Sequence, residues 1–116
     1  MNDLDEKMTA WLRDAEQYMK PGLRPVAIRL AGEVLATARD AGLVDRPHVS
    51  LHQDFDALHF EWDVRRRGGI EADIWPDGTW TGLGPDDSGA LDGEGLGMED
   101  LCDWLGWVLK EGRRTP

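Results

Sequence analysis

The chain has 116 residues, 41% of them hydrophobic, and a formal net charge of −10 with a pI near 4.6. This specifies one domain, residues 1–116, with a modest core, and excludes a disordered chain. The acidity excludes bare nucleic acid as a ligand and favours a basic partner or a cation, and the single cysteine, Cys102, excludes an internal disulfide and fits a reducing, cytoplasmic setting.

The acidic start of the chain lacks the basic character of a signal or transit peptide. No apolar run approaches the ~20 residues of a membrane span. Leu4, Met8, Trp11, Leu12, Ala15 and Met19 recur at helical spacing and predict a helix over 3–19, capped by Asn2 or Asp3 and stopped by Pro21-Gly22. A second helix is expected over 25–41, opened by Pro25 and apolar on many sides from Val26 to Ala38. Gly42 followed by Leu43 has the form of a glycine C-cap with its hydrophobic contact.

After Pro47 the apolar period changes from 3.6 to 2. His48 to His52 alternates, as do Leu58, Phe60, Trp62 and Val64 against His59, Glu61, Asp63 and Arg65. Ile70, Ala72 and Ile74 continue the pattern, and Asp77-Gly78 predicts a two-residue turn into a fourth strand at Thr79-Trp80-Thr81. Residues 82–97 hold six glycines and four acids and read as a mobile loop. A last helix over 98–111 carries Leu101, Leu105 and Val108 on its core face. The expected fold is therefore α+β: a four-stranded antiparallel meander with two N-terminal helices and one C-terminal helix, ααββββα.

Charge is distributed unevenly. Between Arg67 and Lys110 there is no lysine or arginine in 42 residues, yet ten carboxylates: Glu71, Asp73, Asp77, Asp86, Asp87, Asp92, Glu94, Glu99, Asp100 and Asp103. With Arg66-Arg67-Gly68 as a three-residue hairpin loop, Asp63 falls opposite Glu71 and Glu61 opposite Asp73. Like charges directly opposed are destabilising unless something neutralises them. A loop of Asp54 to Ala57 sets His52 against His59 and His48 against Asp63, and the Asp77-Gly78 turn sets Trp75 against Trp80. The expected outer face thus carries a histidine pair, an acid quartet and a tryptophan pair.

Each group has a functional reading and an ordinary one. Glu61, Asp63, Glu71 and Asp73, with Asp86 and Asp87 of the loop, form a docking surface that imitates phosphate spacing, or they are a solvated sheet face. His52 and His59 with nearby carboxylates bind a transition metal, or they are polar strand residues without a tight ligand motif. Trp75 and Trp80 are contact anchors, or they lie beneath a helix. The 86–94 loop fails the calcium-loop pattern. Catalysis has little to draw on: Cys102 lies beside apolar neighbours, Ser50 has no nucleophile-turn motif, and the glycines near 93–97 are ringed by acids that repel phosphate.

Leu58-His59-Phe60-Glu61-Trp62, followed by Ile70-Glu71-Ala72-Asp73-Ile74 and Pro76-Asp77-Gly78, resembles a hairpin of small uncharacterised bacterial proteins with a Leu-x-x-Glu-Trp strand and a Pro-Asp-Gly turn. That resemblance implies no activity. In size and acidity the chain is similar to anti-CRISPR proteins and toxin-immunity proteins, a likeness of composition rather than motif. The expectation is a non-catalytic acidic protein without a cofactor that neutralises a basic, nucleic-acid-handling partner protein. A toxin-immunity protein, a metal-binding module or metal-dependent enzyme at His52 and His59, and a homodimeric regulatory subunit are the alternatives.

Overall fold

A computed structural model describes residues 10, 13–14, 16–19, 27–43, 47–54, 56–64, 68–85 and 89–114. Helix α1 (Ala27–Ala41) is followed by β1 (His48–Leu51), β2 (Leu58–Val64), β3 (Gly68–Ile74), β4 (Thr79–Leu83), β5 (Gly93–Leu96) and helix α2 (Gly97–Arg114). The strands form one antiparallel meander in the order β1-β2-β3-β4-β5. Both helices share one apolar core with one face of this sheet, and α2 packs on β4, β5 and α1. The helix expected over 3–19 lies largely outside the described residues; Glu16–Tyr18 form a 3-10 turn, and Met19 joins the core.

In α1, residues Ala27, Leu30, Ala31, Val34, Leu35 and Ala38 are buried, while Arg29, Gly32, Glu33, Ala36, Arg39 and Asp40 are exposed. The helix is therefore amphipathic, with a single buried stripe rather than apolar contact on many sides. Gly42, at φ 110°, donates to Arg39 O at 3.0 Å, and Leu43 N donates to Ala38 O at 2.8 Å. These two bonds make the glycine C-cap that its sequence signalled, and Leu43 is buried against the core.

The four-stranded ααββββα expectation is overturned by β5. Its cause lies in what the glycines of 82–97 do. A Cβ on Gly82 would lie 2.3 Å from the Trp104 ring, one on Gly93 2.5 Å from it, and one on Gly95 2.7 Å from the Trp80 ring. Gly82 pairs with Gly93, and Trp80 with Gly95, on the inner face. The glycines form a floor on which two indoles lie, with ring centroids 5.4 Å apart. Trp104 Nε1 also donates to Leu91 O at 3.0 Å, tying α2 to the segment entering β5. Glycine here supplies close approach within a strand, not a mobile loop.

The hairpin registers also shift. Trp62 pairs with Ile70, Phe60 with Ala72 and Leu58 with Ile74, so the β2–β3 loop is 65–67, two residues from the expected register. A two-residue slip keeps every side chain on its own face, so periodicity alone does not select between the registers. The observed one gives Leu58, Phe60 and Trp62 apolar partners, sets Val64 opposite Gly68, and replaces one of two acid–acid pairs with His59 opposite Asp73. At the next hairpin Trp75 N donates to Thr79 O at 2.9 Å, Gly78 N donates to Trp75 O at 3.0 Å, and Gly78 has φ 94°. The loop is thus Pro76-Asp77-Gly78 rather than two residues. Thr79 N and Oγ1 both donate to Asp77 Oδ1, at 2.9 and 2.6 Å, and hold that carboxyl below its usual pKa.

Gly82→Ala and Gly93→Ala are each expected to destabilise the protein by about 1–3 kcal/mol in urea unfolding, because the indole floor is overpacked. Gly32→Ala and Gly106→Ala, helical positions where a Cβ meets nothing within 4 Å, are expected to stabilise by up to ~1 kcal/mol. A Gly93→Ala variant as stable as the wild type would remove the close-packing account of β5.

Candidate functional site

Among the described residues, the sheet face away from the helices carries the clustered charge. It is built in rows across the strands. One row is His48, Glu61, Glu71 and Leu83; the next is Ser50, His59, Asp73, Thr81 and Glu94; beyond it lie Trp75, Thr79 and Leu96. Period-2 alternation places these side chains outward because their neighbours Phe60, Trp62, Ile70, Ala72, Ile74 and Trp80 fill the core.

His59 is the centre of the charged rows. Its Nδ1 lies 2.7 Å from Asp73 Oδ1, and its Nε2 lies 3.0 Å from Glu61 Oε1 and 3.3 Å from Glu71 Oε1. Glu61 and Glu71 are directly opposite one another. Among the described residues no lysine or arginine pairs with these three acids; the His59 imidazole contacts all three, and His48, opposite Glu61, adds a charge interaction with that acid alone. Burial opposes charging of His59, but its hydrogen bonds to Asp73 and Glu61 and the charges of those two acids outweigh that cost and raise its pKa above 6.5. The hydrogen bond from His59 is the main cause of a lowered pKa at Glu61.

The structure brings Glu61, Glu71 and Asp73 together but leaves Asp63 aside. Asp63 is exposed and opposite Gly69, not Glu71. His52 does not face His59: Ser50 does, and His52 N instead donates to Ala57 O at 2.9 Å to close the β1–β2 hairpin. The expected metal pair is therefore divided. His52 Nδ1 lies 3.0 Å from Asp56 Oδ1, and His52, Asp54 and Asp56 form one group of converging ligand atoms, while His59, Glu61 and Glu71 form another.

The tryptophan pair is divided as well. Trp80 pairs with Ile74, is 2% exposed and packs on Trp104, so it is a core residue and not a contact anchor. Trp75 is half-buried on the outer side, its ring 5.4 Å from that of His52. Asp86 and Asp87 lie outside the described residues.

Three outer-face residues were missed by sequence reasoning. Leu83 and Leu96 are 51% and 63% exposed, and Glu94 extends the acidic row onto β5. The alternation Gly93-Glu94-Gly95-Leu96 carried the signal, but glycine at the inward positions reads as loop unless the indoles above it are known. Trp107 is also exposed, and Cys102 is half-buried on α2 rather than in the core.

No protein-family model matches the chain, and neither a similar curated protein nor a similar solved structure was found.

The sign of the His59 linkage gives a pH prediction for protein held in chelator. A folded pKa raised above 6.5 contributes stability that is fully present below pH 6.5 and is lost as pH rises through the folded value. Glu61 works in the opposite sense, its contribution being lost as pH falls below 4.5 through its lowered folded value. The unfolding temperature should fall as pH is raised past 6.5, and the NMR titration midpoint of the His59 ring should exceed 6.5 and drop in Asp73→Asn. A wild-type midpoint below 6.5 would contradict the described pairing.

Proposed function

We propose that this chain is a non-catalytic binding protein whose acidic sheet face neutralises a basic, nucleic-acid-handling protein. The observation that carries this reading is the opposed pair Glu61 and Glu71 with Asp73 beside it, all three converging on one histidine, His59. Three carboxylates against His59 and the neighbouring His48 retain a net negative charge whether or not the imidazoles are protonated. A partner's arginines relieve the remaining repulsion and find acceptor geometry there, the arrangement of phosphate recognition with its signs exchanged. Glu94 extends the field toward the β5 edge. Such a protein acts in the manner of anti-CRISPR proteins or nucleic-acid mimics. A toxin-immunity protein uses the same physics against a basic toxin. Among the described residues no helix is long and apolar enough to cross a membrane.

The test is affinity capture from the native host, comparing the wild type with a Glu61→Lys/Glu71→Lys double variant. Wild type should retain basic nucleic-acid-binding proteins, release them to competing DNA, and bind them at least about tenfold more tightly than the reversed protein. Equal retention by both would end the sheet-face reading.

One observation favours a metal-binding reading. Around zinc, nitrogen and oxygen ligands sit at about 2.0–2.2 Å, which places neighbouring tetrahedral ligand atoms roughly 3.3 Å apart. The separations from His59 Nε2 to Glu61 and Glu71 are 3.0 and 3.3 Å, and Asp73, 2.7 Å from Nδ1, would hold the ring in orientation from its other nitrogen. The ligands are then His59, Glu61 and Glu71, without His52. Calorimetric titration of chelator-stripped protein should give one zinc per chain, lost in His59→Ala and kept in His52→Ala. The reading is abandoned if no saturable binding occurs or if both variants bind alike.

A further inference from the structure

Beside the charged rows lies an open groove of about 590 Å³, lined in part by Trp75, Thr79, Thr81, Glu94 and Leu96. Leu96 is 63% exposed, an unusual position for leucine on a sheet face next to so many acids. The outward residues of β3 and its exit read Trp75, Asp73, Glu71 at every second position. One apolar step is therefore followed by two acidic steps along a single strand direction. Across the sheet the steps widen: Leu96 lies in the row of Trp75, Glu94 and His59 in the row of Asp73, and Glu61 in the row of Glu71.

We infer that this face takes an extended basic segment of a partner protein, with one large apolar side chain seated between Trp75 and Leu96 and two arginines or lysines, at the second and fourth positions beyond it, on the Asp73 and Glu71 rows. The inference rests on the acidic-face reading and adds to it the form of the ligand. Residues two apart in an extended segment are ~6.8 Å apart, the same repeat as the rows beneath them, so Φ-x-Arg-x-Arg laid along β3 matches step for step. Charge complementarity selects the occupant: a purely apolar helix leaves the acids unpaired, and an anionic ligand is repelled. His59 does not fill the site, because a carboxylate accepts about four hydrogen bonds and one imidazole supplies two donors. The apolar pocket supplies contact that does not weaken with salt, whereas the exposed acids alone are screened beyond ~8 Å at physiological ionic strength.

The experiment uses two fluorescein-labelled peptides of identical composition with serine spacers, measured by anisotropy against the full chain at about 0.15 M salt. One carries Leu-x-Arg-x-Arg, and the other places the leucine between adjacent arginines. The spaced peptide should bind about tenfold more tightly. Leu96→Ser, an exposed position whose fold is checked by circular dichroism, should erase that preference while leaving the weaker arginine-driven binding. Glu71→Gln should weaken both peptides. Equal binding of the two peptides to the wild type would overturn the groove while leaving the acidic-face reading in place. Absence of binding by either would overturn both. Light scattering that shows a wild-type dimer, reduced to monomer by Leu96→Ser, would assign the face to a second copy of the chain and overturn the partner proposed.

Discussion

The indole of Trp104 resting on Gly82 and Gly93 is the contact on which the arrangement depends. It seats α2 on the last two strands, and its N–H holds the chain at Leu91 as that chain turns into β5. Without the glycine floor the ring has no room, and without the ring β5 has little inward side chain of its own to bury. The second indole, Trp80 over Gly95, repeats the device one row away. Together they close one face of the sheet and leave the other to solvent, which decides where every charge of the middle segment ends up.

The run of acids between Arg67 and Lys110 separates by task. Asp77 holds the backbone and hydroxyl of Thr79 in a turn. Asp92 Oδ1 accepts from Gly84 N at 2.9 Å, fixing the chain between β4 and β5, and Asp100 Oδ2 accepts from Leu96 N at 3.2 Å. Glu99 and Asp100 occupy the first turn of α2, where carboxylates complement the helix end. These acids have local work. Glu71, Asp73 and Glu94 stand on the open face, and the first two converge with Glu61 on His59. The negative field is thus concentrated in a small patch with an apolar neighbour, an arrangement suited to recognising a cation-bearing segment.

Legibility varied with the kind of information each residue carries. The alternation from Leu58 to Val64 and from Ile70 to Ile74 was plain, as was the C-cap at Gly42, because period and cap chemistry are local. Gly93 and Gly95 were opaque, since glycine in a flexible loop and glycine under an indole are the same letter. The placing of His59 was hidden by two-residue slippage: both registers keep His59 outward, yet only one sets it against Asp73. Trp75 and Trp80 looked like a pair across a two-residue turn, and the third loop residue, Pro76, placed Thr79 opposite Trp75 and sent Trp80 inward to Trp104.

What the amino-acid sequence determined by itself was the antiparallel α+β class, the faces of the middle strands, the C-cap at Gly42 and the concentration of acid in one segment, all of which follow from the local order of side chains along a single element. What only the tertiary structure decided was the fifth strand, the registers, the separation of His52 from His59 and the gathering of Glu61, Glu71 and Asp73 around one imidazole. Those depend on which side chains share a volume. The space under Trp104 and the electrostatic gain of His59 beside Asp73 exist only once distant parts of the chain have met.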